Sequence, residues 1–235
     1  MKAMILAAGR GERMRPLTGT TPKPLLTIGG KYMILLTIFK LQQAGITDLV
    51  VNISHLAEKI EAALGDGAAH GVRIRYSFER EALETAGGIA WALPLLDAKP
   101  FIVVNSDVYS DYDFSGLCKR AQALTVERPA HLVLVDNPAH HPQGDFALHE
   151  GVVSQTGARL TFSGIGAYHP ALFADIPHGA KARLAAQLEG PIAAGCVTGE
   201  HFRGEWNDVG TPQRLAELDA RVRARENRRI VTDAP

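Results

Sequence analysis

The apolar positions fall into two alternating kinds of segment. Short runs of strand length lie at Lys2–Ala8, Leu49–Ile53, Val72–Phe78, Phe101–Val104 and Ala130–Val135. Between them apolar residues recur at helical spacing over Tyr32–Ala44, His55–Leu64, Ile89–Leu96 and Phe114–Leu124. The first of these helices stops at Gly45, a residue suited to the position after a helix end. This alternation predicts an α/β fold: a Rossmann-like, mostly parallel mixed sheet flanked by helices. From Asp136 to Gly166 the pattern changes to Gly, His, Pro and short β-like pieces at Phe146–His149, Val152–Gln155 and Leu160–Ile165. These predict small β-hairpin additions covering one side of the sheet. Ala180–Leu188 reads as helix, and Thr211-Pro212 opens the last helix with Thr as N-cap and Pro at the first helical position. No repeat or linker interrupts the chain, so a single domain is expected over residues 1–226, with residues 227–235 as an arginine-rich, solvated C-terminal tail.

Composition narrows the partners. Of 235 residues 46% are hydrophobic, and 25 Lys plus Arg balance 25 Asp plus Glu. A net charge of zero gives no global attraction to nucleic acid or to a membrane surface, so any bound anion is held by a local site. No stretch approaches the roughly 18 apolar residues of a membrane span. The N-terminal apolar run is too short for a secretory signal and leads straight into a glycine-rich motif. Cys118 and Cys196 form no metal-type pair and read as reduced thiols of a cytoplasmic protein. The compact chain suggests a monomer.

Two motifs directly follow apolar strands, Gly9–Arg13 and Asn105-Ser106-Asp107. In open α/β sheets ligands bind beyond the carboxyl ends of the strands, so both motifs are expected at one edge. Gly9 and Gly11 let the backbone approach a phosphate and point N–H groups at it. Arg13 can make paired hydrogen bonds to phosphate oxygens, and Lys23, between Pro22 and Pro24, is a point charge on a stiff segment. Met14 stands where a dinucleotide fingerprint needs its third glycine, and no Walker-type Gly-Lys-Ser/Thr follows, so both better-known loops are excluded.

Leu6–Thr18, followed by Thr21-Pro22-Lys23-Pro24-Leu25-Leu26 and Gly29-Gly30-Lys31, resembles the signature of the sugar-1-phosphate nucleotidylyltransferases, and the resemblance spans roughly residues 1–220. It implies that the loop from Ala7 and Ala8 through Gly9, Gly11, Glu12 and Arg13 holds the nucleotide and its triphosphate. Arg13 would bind the leaving pyrophosphate, and Lys23 would neutralise the α-phosphate and the incoming sugar phosphate. Asp107 and Asp208 match the family's two magnesium aspartates, and magnesium suits this chemistry because it is held by one or two carboxylates plus phosphates and water. Asp111 and Asp113 read instead as residues opening the following helix.

The segment Glu79–Gly88 is similar to the family segment that contacts the base. Glu79, or alternatively Glu81, is the candidate acceptor for a pyrimidine N3–H, although guanine also offers donors to a carboxylate. Gly87 and Gly88 give either close backbone approach to a flat base or a tight start to a helix. For the sugar, Asn105 is the best side-chain candidate, Gly144 matches a family glycine whose backbone touches the sugar, and Thr161 and Ser163 can also reach it. His140 and His141 read as loop surface. The Glu-Lys-Pro triplet of the larger glucose-type relatives is absent. The compact middle of the chain, with Glu-Thr-Ala-Gly-Gly-Ile and Thr-Phe-Ser-Gly-Ile-Gly, most resembles the short bacterial uridylyltransferases of cell-wall recycling that act on N-acetylmuramate α-1-phosphate. The substrates implied are UTP and a sugar 1-phosphate. Rival readings are a guanylyl- or thymidylyltransferase and a catalytically silent nucleotide-binding regulator. Gly19, and Tyr32-Met33 after Gly-Gly-Lys, depart from the pattern without removing a charged group.

Overall fold

The computed structural model describes residues 1–232, with side chains described through residue 228. In chain order the elements are β1 (Lys2–Leu6), β2 (Thr27–Ile28), β3 (Lys31–Tyr32), α1 (Met33–Gln43), β4 (Asp48–Ile53), α2 (Ala57–Leu64), β5 (Arg73–Phe78) and α3 (Glu84–Leu96). They continue with β6 (Phe101–Asn105), β7 (Val108–Ser110), α4 (Phe114–Gln122), β8 (Ala130–Val135), β9 (Phe146–His149), β10 (Val152–Ser154), β11 (Arg159–Tyr168), α5 (Leu184–Ala193), β12 (Val197–His201), β13 (Trp206–Asp208) and α6 (Pro212–Thr232). The expected tail continues α6 through Thr232, and residues 233–235 lie outside the described residues.

Nine strands form one sheet in the order β5-β4-β1-β6-β11-β8-β12-β10-β9. The block β5-β4-β1-β6 is parallel. Beyond it β11 runs antiparallel to both β6 and β8, β12 is parallel to β8, and the β9–β10 hairpin caps the far edge. The sheet is therefore parallel on one side and mixed on the other. The two short ribbons are β2–β3 and β7–β13.

Both faces of the sheet are covered, and the strands show it by alternation. Ala3 and Ile5, Leu49 and Val51, Ile102 and Val104 enter the layer packed under α1, α2 and α4. Met4, Val50, Phe101 and Val103 point the other way, toward α3 and α5. Strands buried on both faces read as continuous apolar runs, which is why these segments show little period-2 contrast. A smaller cluster, Met14, Leu26, Ile28, Met33, Val209 and Leu218, locks the loops after β1 and β13 against α6.

Three expectations are corrected. The helix expected at Ala180–Leu188 is displaced to α5, because residues 180–183 run along the start of α3: Ala86 and Gly87 N–H donate to Ala182 O, at 2.9 and 3.1 Å. α3 begins at Glu84, five residues ahead of the apolar pattern, since Thr85–Gly88 contribute small residues to a tight contact rather than an apolar stripe. Strands β2, β3, β7, β12 and β13 are additional to the expected set. Asp113 does open α4, its carboxylate accepting from Ser115 N–H at 2.9 Å, and Thr211 Oγ1 accepts from Arg214 N–H at 3.3 Å at the start of α6.

Candidate active site

Register places the two motifs side by side. Leu6, the last residue of β1, is paired with Asn52 on one side and Asn105 on the other. The chain segments that leave β1, β4 and β6 therefore emerge at one edge of the parallel block. There they surround a cleft of about 550 Å³, lined by Ala7 through Met14, Lys23, Asn52, Glu79, Glu84, Asn105, Asp107 and Gly210 among others.

The glycine loop is shaped by its neighbours. Gly11 has a left-handed φ of 60°, and a β-carbon there would come within 3.0 Å of Thr18 and 3.1 Å of Lys23. Thr18 Oγ1 donates to Gly11 O at 2.8 Å. This close packing sets the Pro22-Lys23-Pro24 turn against the loop. Gly9 has nothing within 4 Å of an added β-carbon, so its backbone faces open space in the cleft. Met14, fully buried, anchors the loop's end in the cluster beneath α6. Lys23 Nζ is ion-paired with Asp107 Oδ2, and both side chains are largely shielded.

A buried relay ties this loop to the start of α3. Asn52 Oδ1 accepts from Ala7 N–H at 2.7 Å, Asn52 Nδ2 donates to Glu79 Oε1 at 2.6 Å, and Leu83 N–H donates to Glu79 Oε2 at 2.9 Å. Burial pushes the Glu79 carboxyl above its ordinary value, against the opposing pull of the Leu83 and Asn52 donors. Gly88 makes room for the relay, because a β-carbon there would fall 2.6 Å from Glu79 Oε1.

The two acids meet through the β7–β13 ribbon. Asp208 is paired with Val108, and Val209 N–H donates to Asp107 O at 2.9 Å, so residues 107 and 208 are neighbours across two strands. Trp206 Nε1 donates to Ser163 O at 2.9 Å and fastens the ribbon to β11. Asp208 Oδ1 accepts from Arg214 Nη1 at 2.8 Å and lies 3.0 Å from His140 Nε2. Arg214 Nη2 would lie 2.2 Å from a β-carbon on Gly210, with Arg13 Nη1 3.5 Å from the same point. Two guanidinium groups thus flank Gly210 at the cleft wall. Arg214 was not singled out in the sequence, where an arginine in the first turn of a helix reads as surface. His140, read as loop surface, is brought to Asp208.

The donor set fits a hard divalent cation. Among the described residues no three His, Cys, Asp or Glu side chains form a metal-type group. Asp107, just before β7, lines the cleft, whereas Asp208 in β13 lines a separate pocket with His140 and Arg214; magnesium needs only one or two carboxylates, with phosphate oxygens and water completing its shell.

Several expected contacts are not brought to the cleft. Gly87 is packed against residues 180–182, where an added β-carbon would fall 2.4 Å from Ala180 O, so its small size serves helix packing rather than a base. Glu79 lines the cleft wall but is 2% exposed, and each of its oxygens already accepts a hydrogen bond from the protein. Glu81 is ion-paired with Lys181 at 3.2 Å outside the cleft. Thr161 Oγ1 donates to Asn137 Oδ1 at 2.9 Å, and Ser163 Oγ donates to Val133 O at 2.7 Å while accepting from Ile165 N–H. Both hydroxyls are consumed at the bulge where β11 shifts register against β8 between Phe162 and Ile165. Gly144 N–H donates to His141 O at 3.3 Å within its own turn. Asn105 does reach the cleft, and Gly164 leaves the room for it: a β-carbon at Gly164 would fall 2.6 Å from Asn105 Nδ2.

A parallel block with a glycine loop after its first strand, and a lysine and two aspartates at the same edge, defines a phosphate-handling α/β protein. The family model for nucleotidyl transferases matches residues 2–146, and the chain belongs to that family, the sugar-1-phosphate nucleotidyltransferases. It is 52% identical over 225 residues to the N-acetylmuramate α-1-phosphate uridylyltransferase of Neisseria meningitidis, covering 94% of this chain and 97% of the relative. A protein of the same description from Caulobacter vibrioides is 36% identical over 94% of this chain and 96% of its own. The fold matches that of a provisionally assigned glucose-1-phosphate thymidylyltransferase from Bacillus anthracis, with a TM-score of 0.84 at 22% identity over 95% of both chains.

Proposed function

We propose that the enzyme transfers a uridylyl group from UTP to N-acetylmuramic acid α-1-phosphate, releasing pyrophosphate. The observation that carries this is the meeting of the glycine loop, Lys23, Asn105 and Asp107 in one cleft. The near full-length similarity to two uridylyltransferases supplies the choice of base and sugar. The sugar phosphate oxygen attacks the α-phosphorus in line, the new P–O bond forms, and the bond to the pyrophosphate oxygen breaks. A phosphate dianion is already deprotonated at neutral pH, so no general base is required.

Lys23 neutralises charge on the α-phosphate and the incoming phosphate, and Arg13 takes the leaving pyrophosphate beside the loop amides. Catalysis is positioning plus electrostatic stabilisation. Asp107 and Asp208 would hold magnesium, which screens the facing phosphates when bound. Asn105, which lines the cleft, would orient the sugar. The same reading puts the enzyme in the cytoplasm, in peptidoglycan recycling, acting as a monomer.

The test is pyrophosphate release with magnesium, each common nucleoside triphosphate and a panel of N-acetylmuramic acid, N-acetylglucosamine, glucose and mannose 1-phosphates. Release with UTP and the muramic acid derivative is expected. Preferred release with another pair would replace the assigned substrates, and none with any pair would remove the activity.

A further inference from the structure

Gly210 lines the cleft with Arg13, and an added β-carbon there would fall 2.2 Å from Arg214 Nη2 and 3.5 Å from Arg13 Nη1. Its φ is outside the left-handed region that favours glycine. The missing side chain therefore serves the Arg214 guanidinium, which is laid against the backbone at this point. Arg214 itself lines the smaller pocket that holds Asp208 and His140, so Gly210 stands where cleft and pocket meet. Two guanidinium groups facing one point repel each other unless an anion lies beside them.

For Arg214 that anion is Asp208. Asp208 Oδ1 accepts from Arg214 Nη1 at 2.8 Å and lies 3.0 Å from His140 Nε2, and the same arginine nitrogen lies 2.7 Å from His140 Nε2. Both side chains of the Arg214–Asp208 pair are largely shielded. Arg13 is exposed and enters no ion pair among the described residues. Asp208 is also one of the two carboxylates read as magnesium ligands. A cation on that carboxylate neutralises the charge that holds Arg214 and competes for the same lone pairs. Arg214, once it gives up Asp208, shares the Gly210 wall with Arg13 beside the glycine loop. Two planar guanidinium forks at one point match the several oxygens of a pyrophosphate group.

We propose that Arg214 is a second phosphate-binding arginine, held on Asp208 until metal takes that carboxylate and then turned, with Arg13, to the leaving pyrophosphate. Metal and pyrophosphate then favour each other's binding through one side chain, and the coupling is reciprocal. The inference rests on the reading of the cleft as a nucleotide site and of Asp208 as a metal ligand.

The experiment is calorimetric titration of inorganic pyrophosphate into chelator-treated parent, Asp208→Asn, Arg214→Met and the double variant. Manganese, standing in for magnesium, is titrated into the parent and the two single variants, and manganese pyrophosphate into the parent. Thermal unfolding checks that each protein is folded, and Arg214→Gln replaces Arg214→Met if that variant is not. Asp208→Asn releases Arg214 without metal, so it is expected to bind pyrophosphate about tenfold more tightly than the parent, and Arg214→Met is expected to cancel that gain in the double variant. Arg214→Met is expected to bind manganese about tenfold more tightly than the parent, having no guanidinium to displace. A gain from Asp208→Asn as large without Arg214 as with it is a general effect of lost negative charge and would overturn the inference. So would no gain at all, or a manganese affinity unchanged by Arg214→Met. Manganese affinity unchanged by Asp208→Asn would instead overturn the metal reading of Asp208, and a parent that binds no manganese pyrophosphate would overturn the nucleotide reading of the cleft.

Discussion

On the wall of the cleft made by β1, β4 and β6, polar groups lie at or just past the last strand residue: the loop after Leu6, the Asn105 side chain and Asp107. On the side made by β11 and the 137–145 loop, the polar groups lie within the fold, and Thr161, Ser163 and Gly144 spend their hydrogen bonds on Asn137, Val133 and His141. The difference follows from where the sheet stops. A residue within a ladder must satisfy its polar atoms there, since a buried unpaired group is costly. A residue past the carboxyl end has no ladder to join and is left for a ligand. Chemistry therefore concentrates on the parallel side, and the mixed side supplies support, such as the Trp206 bond to Ser163 O.

This contrast is breakable by substitution on each side. Lys23→Ala removes the cation beside Asp107 and is expected to lower kcat about 10³-fold with a small change in the KM for UTP, read by steady-state kinetics. Asp208→Asn should lower turnover about 10²-fold and raise the magnesium concentration needed for half-maximal rate; an unchanged magnesium dependence would remove Asp208 from the metal site. Gly88→Ala drives a methyl group into the Asn52–Glu79 relay and is expected to cost about 2 kcal/mol, measured by denaturant unfolding.

Glu79 gives a signed pH effect. Its carboxyl titrates higher in the folded protein than in the unfolded chain, so the folded state binds the extra proton. Its contribution to stability is then greatest below the unfolded value and falls as pH rises through the folded one. The stability difference between the parent and Glu79→Leu should shift in that direction across mildly acid pH; a shift of opposite sign would contradict the burial argument. The smallest effect is on the mixed side: Thr161→Val should cost about 1 kcal/mol of stability through the lost bond to Asn137 and leave the KM for the sugar phosphate within about twofold. A large rise in that KM would return Thr161 to the sugar site.

The sequence carried the parallel block because both-face burial leaves unmistakable apolar runs, and it carried the loop and Lys23 because glycine and paired prolines mark backbone constraints directly. The mixed half was less legible. β12, Val-Thr-Gly-Glu-His, is mostly polar, and its place beside β8 is set by partners over sixty residues away. Residues 180–183 looked helical by composition yet are held extended by the start of α3. In the cleft, the acids of Glu79–Glu84 could be counted but not told apart, since burial of Glu79, pairing of Glu81 and the left-handed turn at Glu84 are tertiary facts. Arg214 and His140 were invisible for the same reason: a helix start and a histidine loop far apart in the chain close on Asp208 only in three dimensions.

The most direct test of the central claim is phosphorus NMR of the protein with magnesium, UTP and N-acetylmuramic acid α-1-phosphate. The account predicts that the sugar monoester signal and the three UTP signals give way together to a sugar nucleotide diphosphate and free pyrophosphate in equal amounts. Unchanged spectra, or conversion of UTP to orthophosphate with the sugar phosphate untouched, would contradict it.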